Sequence, residues 1–175
     1  MKRGRKGLTA ALLLCCLAPA TTALAGGFRG NEWGVAKSSV KAREKYTLHH
    51  DRPGELAYFA FELAGVEAGL VYKFQDDRLV SAYFMSRHRT NDPEADYADY
   101  KTWQARFDEH YGMHTRQEWV WNDGAEPGEE NLAAVSSGRA ELVTHWTLED
   151  ARVRLVMRGE DGAIQTLRAY HEPLP

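Results

Sequence analysis

Apolar residues recur at every second position in run after run of this chain, and each run closes in a tight polar turn. That pattern narrows the available folds more than any other feature. Val66, Ala68, Leu70, Tyr72 and Phe74 alternate through 66–75. Side chains of a strand point to opposite faces in turn, so a period of two buries one face and leaves the other open. The same reading sets Ala57, Phe59, Phe61 and Leu63 inward along 55–63, and Leu79, Tyr83 and Met85 inward along 79–87. Trp119 and Trp121 share a face of 115–122, as do Leu142, Thr144, Trp146 and Leu148 of 141–148. Val153, Leu155 and Met157 point inward from 152–158, and 163–170 returns as the last strand. Asp76-Asp77 and Asp161-Gly162 have the composition of two-residue hairpin turns. An antiparallel sheet of about six to seven strands follows.

Two helices interrupt the strands. The first covers 37–45, with Ser38 or Ser39 as cap and Val40 and Ala42 as a small apolar side. The second has Asn91 or Asp92 as cap, Pro93 in the first turn, and Glu94 and Asp96 at the positive end of the dipole. Tyr100, Trp103, Phe107 and Tyr111 recur at spacings of three and four, an aromatic stripe that belongs to a core-facing side, and Gly112 ends it. An acidic loop at 122–130 leads to a helical turn at 131–137 closed by Gly138. The class is α+β, with the two main helices packed on one face of the sheet. Leu70-Val71-Tyr72, Asp76 and Leu79 have counterparts 85 positions later in Leu155-Val156-Met157, Asp161 and Ile164. The pseudo-halves would be 33–90 and 92–175, and duplication and coincidence between two half-buried hairpins both stay open.

The first 25 residues read as a secretory signal peptide. Lys2, Arg3, Arg5 and Lys6 precede an apolar stretch too short to span a bilayer, and Ala23-Leu24-Ala25 is a small-residue cleavage site. Cleavage near Ala25 leaves a loose tail over 26–32, one α+β domain over 33–175, no transmembrane segment, and a periplasmic or secreted destination. A rival reading lipidates Cys15 or Cys16, although Leu14 is a poor residue before such a site. Removing the signal takes the net charge from −3 to −7 and removes both cysteines. A chain of that charge with no basic run disfavours nucleic acid, and a cysteine-free chain excludes thiolate chemistry and Cys-ligated zinc.

No motif names a reaction. His110 and His114 have helix-face spacing, but Gly112 lies between them. His49-His50-Asp51 falls in an expected loop, where neighbouring side chains point apart. Asp92, Glu94, Asp96 and Asp99 lack the turn glycine and distal Glu of a calcium loop. There is no nucleophile elbow, no Ser-x-x-Lys and no phosphate loop. Neither a metal nor a cofactor is implied, and no catalytic residue stands out.

What remains is surface. Opposite the core of the final strands, Glu141, His145, Thr147 and Glu149 lie beside Arg152, Arg154 and Arg158. Either cross-strand ion pairs on a solvated face or a polar, Arg- and aromatic-containing docking surface accounts for them. Candidate binding residues are Trp121, His145, Arg154 and Arg158.

The N-terminal half resembles small bacterial envelope modules of the SmpA/BamE type. Gly34 and Val40 match the opening of their short helix, and Tyr58-Phe59, Tyr72-Lys73-Phe74, Asp76-Asp77 and Leu79-Val80 match the aromatic hairpin that follows. A tandem pair of such modules is similar to the beta-lactamase-inhibitory-protein family. The lipidated Cys of the former and the disulfides of the latter are missing from the mature chain, so a soluble periplasmic family separate from both fits better. The resemblance implies protein binding without chemistry and carries over no functional residue. The expected function is therefore a non-catalytic protein-binding module of the cell envelope with an envelope protein as partner. Alternatives are a small hydrolase or other enzyme with a site assembled only in three dimensions, and a lipid or small-ligand carrier. The oligomeric state is not encoded in any legible feature.

Overall fold

Eight strands pair into a single antiparallel sheet. In chain order they are β1 (Thr47–Arg52), β2 (Glu55–Leu63), β3 (Val66–Gln75), β4 (Arg78–Ser86), β5 (Arg116–Trp121), β6 (Ala140–Thr147), β7 (Ala151–Glu160) and β8 (Ala163–Pro173). Their spatial order is β1-β2-β3-β4-β8-β7-β6-β5. Helices α1 (Lys37–Arg43), α2 (Pro93–Tyr111) and α3 (Leu132–Ser136) complete the fold. This computed structural model describes residues 27–174, apart from positions 88, 89, 91, 123, 127, 129 and 130 and the side chains of Ala60 and Phe61. The expected signal segment with Cys15 and Cys16, and Asn91 as a cap, lie outside the described residues. Among the described residues no helix is long and apolar enough to cross a membrane.

The α+β class stands, but among the described residues the sheet has eight strands rather than six to seven. The additional strand is β1, which carries His49-His50-Asp51 where a loop was expected. Its residues are exposed apart from His50, so it shows no apolar alternation. Pairing with β2, and not burial, makes it a strand.

Each half is a helix followed by a four-stranded meander, and the last strands of the two meanders meet at the centre of the sheet. The registers of the two halves coincide. Hairpin β3–β4 shifts register between Lys73 and Phe74, which leaves Val80 as an extra residue on β4. Hairpin β7–β8 shifts between Arg158 and Gly159, leaving Gln165 extra on β8. Both turns are left-handed, with Asp76 and Asp77 at φ 50° and 61° and Asp161 and Gly162 at 53° and 82°. Turn, register shift and extra residue all recur at the 85-position offset visible in the sequence.

The β4 bulge, and another register shift between β2 and β3, correct two expected faces. A one-residue insertion moves every later side chain to the opposite face. On β4 the core receives Leu79, then Ala82 and Phe84, while Tyr83 and Met85 turn outward. On β2 the core side holds Leu56 and Tyr58 in place of Ala57 and Phe59, and a shift between Tyr58 and Phe61 brings Leu63 back inward. Strands β3, β6 and β7 bury the residues that alternation assigned to them, except Leu148, which lies just past the end of β6 and is half-buried.

Helix α2 packs as its stripe implies: Tyr100, Trp103 and Phe107 are buried, and Tyr111 lies against them. Its cap is Asp92, which accepts the Glu94 amide at 3.0 Å. Trp103 Nε1 donates to Leu63 O at 3.1 Å, and Tyr100 OH meets Thr144 Oγ1, so the stripe is tied to both halves of the sheet. Helix α1 buries Val40 but leaves Ala42 exposed, and its cap is Ala36 with no side-chain bond, in place of Ser38 or Ser39. The stretch expected to be a loose tail carries Phe28, which is 3% exposed and sits against Tyr72, Phe84 and His171. A single large aromatic anchors an otherwise Gly-rich segment, a signal too local for composition to show.

Candidate functional site

Among the described residues the three helices lie on one side of the sheet, and none of them covers the other side. At its middle, strands β4, β8 and β7 set Tyr83 opposite Tyr170, Met85 opposite Arg168, and Arg168 and Tyr170 opposite Val156 and Arg154. Val71, Val143 and Val156 face this side and are still buried. The long side chains around them lay their stems and rings over the valines and keep their polar ends in water.

The rings of Tyr83 and Tyr170 are 5.4 Å apart. Arg168 lies 5.3 Å from the Tyr83 ring centroid and donates to the Tyr170 hydroxyl at 3.4 Å. Arg154 lies 5.5 Å from the Tyr170 centroid and donates to Glu172 Oε1 at 3.2 Å. Arg158 Nε donates to Glu141 Oε1 at 2.7 Å, across the register of β6 and β7. Burial raises the Tyr83 phenol above its ordinary value, so it stays a neutral donor. The three arginines and Tyr170 surround Val156 in a depression of about 270 Å³. Among the described residues Arg168 has no carboxylate partner, so the centre of the face is basic within an acidic chain.

The structure brings together three of the four residues expected to bind. Arg154 and Arg158 border the depression. His145 sits opposite Arg154, with Nε2 at 2.9 Å from Glu118 Oε1, and Glu118 also pairs with Arg116. Trp121 is the exception. It shares the helix-covered side with Trp119 and Ala140 at the outer edge of the sheet, and Arg139 covers its ring at 5.4 Å. Arg168, Tyr170 and Tyr83 are additional members of the open face. They come from the central pairing of β4 with β8, which joins segments that no local pattern relates.

The described histidines do not gather at one place, although the His49 and His50 rings, expected to point apart, meet edge to face at 5.4 Å. On β1, His50 pairs with Glu55 and His49 rests 4.1 Å from the Phe59 ring. His110 lies against Tyr111 at 4.6 Å, while His114 is beyond the helix end with Nδ1 3.1 Å from Asp108. That carboxylate also accepts the His114 amide at 2.8 Å and Trp146 Nε1 at 3.0 Å, so it anchors the loop that follows α2. Among the described residues no three His, Cys, Asp or Glu side chains gather as they would around a metal ion. No protein family matches the chain, and neither a curated protein nor a solved structure does.

Proposed function

We propose that the chain is a non-catalytic protein-binding module, exported to the cell envelope, that docks an acidic protein surface on the open face of its sheet. The carrying observation is the arrangement of Arg154, Arg158 and Arg168 around Val156, interleaved with Tyr83 and Tyr170. Arg and Tyr are the residues that dominate protein interfaces, because each buries a large flat area and still offers directional donors. Strands present them without moving parts, so little order has to be gained on docking. Two of the arginines already have acidic neighbours, Glu172 and Glu141, in partly exposed pairs that a better-placed carboxylate can displace. The repeated helix-plus-meander plan supports the reading that the halves are tandem modules of the envelope type. The signal-like segment supports export.

The test is affinity capture from native envelope extract with the exported chain as bait, compared with an Arg154→Glu/Arg158→Glu variant. Removing both cations and placing like charge against an acidic partner weakens its retention at least tenfold. The proposal fails if charge reversal leaves every captured protein and the deletion phenotype unchanged while the variant remains folded.

A further inference from the structure

A cavity of about 380 Å³ lies on the opposite, helix-covered side, where the Phe28 turn, the C-terminal half of α2 and the end of β8 come together. That volume is at the small end of the roughly 300–1,000 Å³ usual for ligand pockets. Its walls are Phe28, Leu63, Phe84, Phe107 and Leu148, all buried or half-buried apolar groups. Two further groups line it, His171 and Tyr111, and they satisfy each other: Tyr111 OH and His171 Nε2 are 2.9 Å apart. The floor is thus largely apolar, and its two polar groups are paired with each other.

The rim differs in kind. Arg29, Arg106 and His110 edge the cavity with exposed side chains, and among the described residues no Asp or Glu lines it. Arg106 is engaged with Glu109, but both ends of that pair are more than half exposed and three residues apart on one helix. Such a pair is weak and readily exchanged for a better-placed anion. Arg29 pairs with Glu44 at 3.3 Å, and Glu44 does not line the cavity.

We infer that this cavity binds a small amphipathic carboxylate, its apolar body between Phe28, Phe84 and Phe107 and its anionic end held at the rim by Arg106 with His110. Aromatic walls favour an acyl or aromatic body by area alone. Cations confined to the rim place the charge at the mouth, where it stays partly hydrated, rather than at the floor. A cationic amphiphile of equal length would meet Arg106 unfavourably. The inference is independent of the docking proposal, because the two sites are on opposite sides of the sheet and either can fail alone.

The experiment titrates the purified protein by calorimetry with decanoate, 1-decanol and decylamine, each below its aggregation concentration. Decanoate saturates one site. Decanol binds at least fivefold more weakly, and decylamine more weakly still. Arg106→Glu weakens decanoate about tenfold and leaves decanol within twofold, which a merely structural change would not do. Leu148→Trp fills the cavity and abolishes binding of all three, and a thermal melt shows whether that variant is folded. Absence of saturable decanoate binding overturns the site, as does binding that both folded variants leave within twofold. Equal affinity for decanoate and decylamine overturns the assignment of charge.

Discussion

His171 is a titratable ring set among aromatic ones, with Phe28, Phe84 and Phe107 centroids at 4.6, 5.7 and 6.1 Å. Nδ1 donates to Ala169 O at 3.3 Å and leaves Nε2 to accept the Tyr111 hydroxyl, which assigns a neutral ring with the proton on Nδ1. Burial lowers its pKa from 6.5 to about 3 and raises that of Tyr111 to about 12. The unfolded chain therefore takes up a proton below pH 6.5 that the folded chain refuses until about pH 3. The neutral ring's contribution is full above pH 6.5 and falls as the pH drops through that window. Between pH 7 and pH 4.5 the loss from this one residue is about 2–3 kcal/mol. Urea unfolding of the wild type and of His171→Phe at both pH values checks it: the variant lacks this component of the pH dependence. Equal pH slopes in the two proteins would show that the ring is not buried neutral. Nothing in the sequence marks His171 among seven histidines, since the aromatic rings around it come from β4, α2 and the N-terminal turn.

Helix α3 and strand β7 show why one element departs from its counterpart. Gly159 occupies the position that Phe74 holds in the first half, next to the register shift. A Cβ there would lie 2.5 Å from Val135 O, 2.6 Å from Ser136 Cα and 2.7 Å from Ala163 O. All three obstacles are backbone: two belong to α3, which sits directly on this point of the strand, and the third to the start of β8. The first half has no helix between its first two strands, and a phenylalanine fills the space. Gly69 is crowded differently: its nearest neighbours are the Phe59 ring at 2.8 Å and the Met85 side chain at 3.2 Å. Those side chains can rotate aside. Gly159→Ala is expected to cost at least roughly 1–3 kcal/mol, and Gly69→Ala less, in denaturant melts of the two variants. Equal costs would mean that α3 does not rest on Gly159. At this scale much was legible. The limits of β2 and β3 match the alternating runs, and α2 begins at Pro93 and ends before Gly112. Face assignments failed where bulges intervene, because an inserted residue leaves composition and spacing untouched and changes only the pairing.

Across the whole molecule, a shared core joins what topology divides. The pairing of β4 with β8 links the meanders, and the core runs without a break from Val40 and Leu56 through Trp103 and Phe107 to Leu142 and Met157. Neither half closes its own core, since α2 covers strands of both. The chain should therefore unfold in one cooperative transition, with tryptophan fluorescence and far-ultraviolet circular dichroism coincident. Two separated transitions would show that the halves are independent domains. By itself the sequence determined the class, most of the strands, the aromatic core helix and the 85-residue correspondence. Each of these rests on periodicity, and periodicity is local. Only tertiary pairing decided the rest. The strand β1 exists because β2 offers it hydrogen bonds, and Trp121 belongs to the covered side because of its register with Ala140. The open Arg-Tyr face and the cavity at Phe28 are also products of pairing. Each collects residues from distant segments, and contacts between distant segments are set by the global packing minimum rather than by any neighbour in sequence.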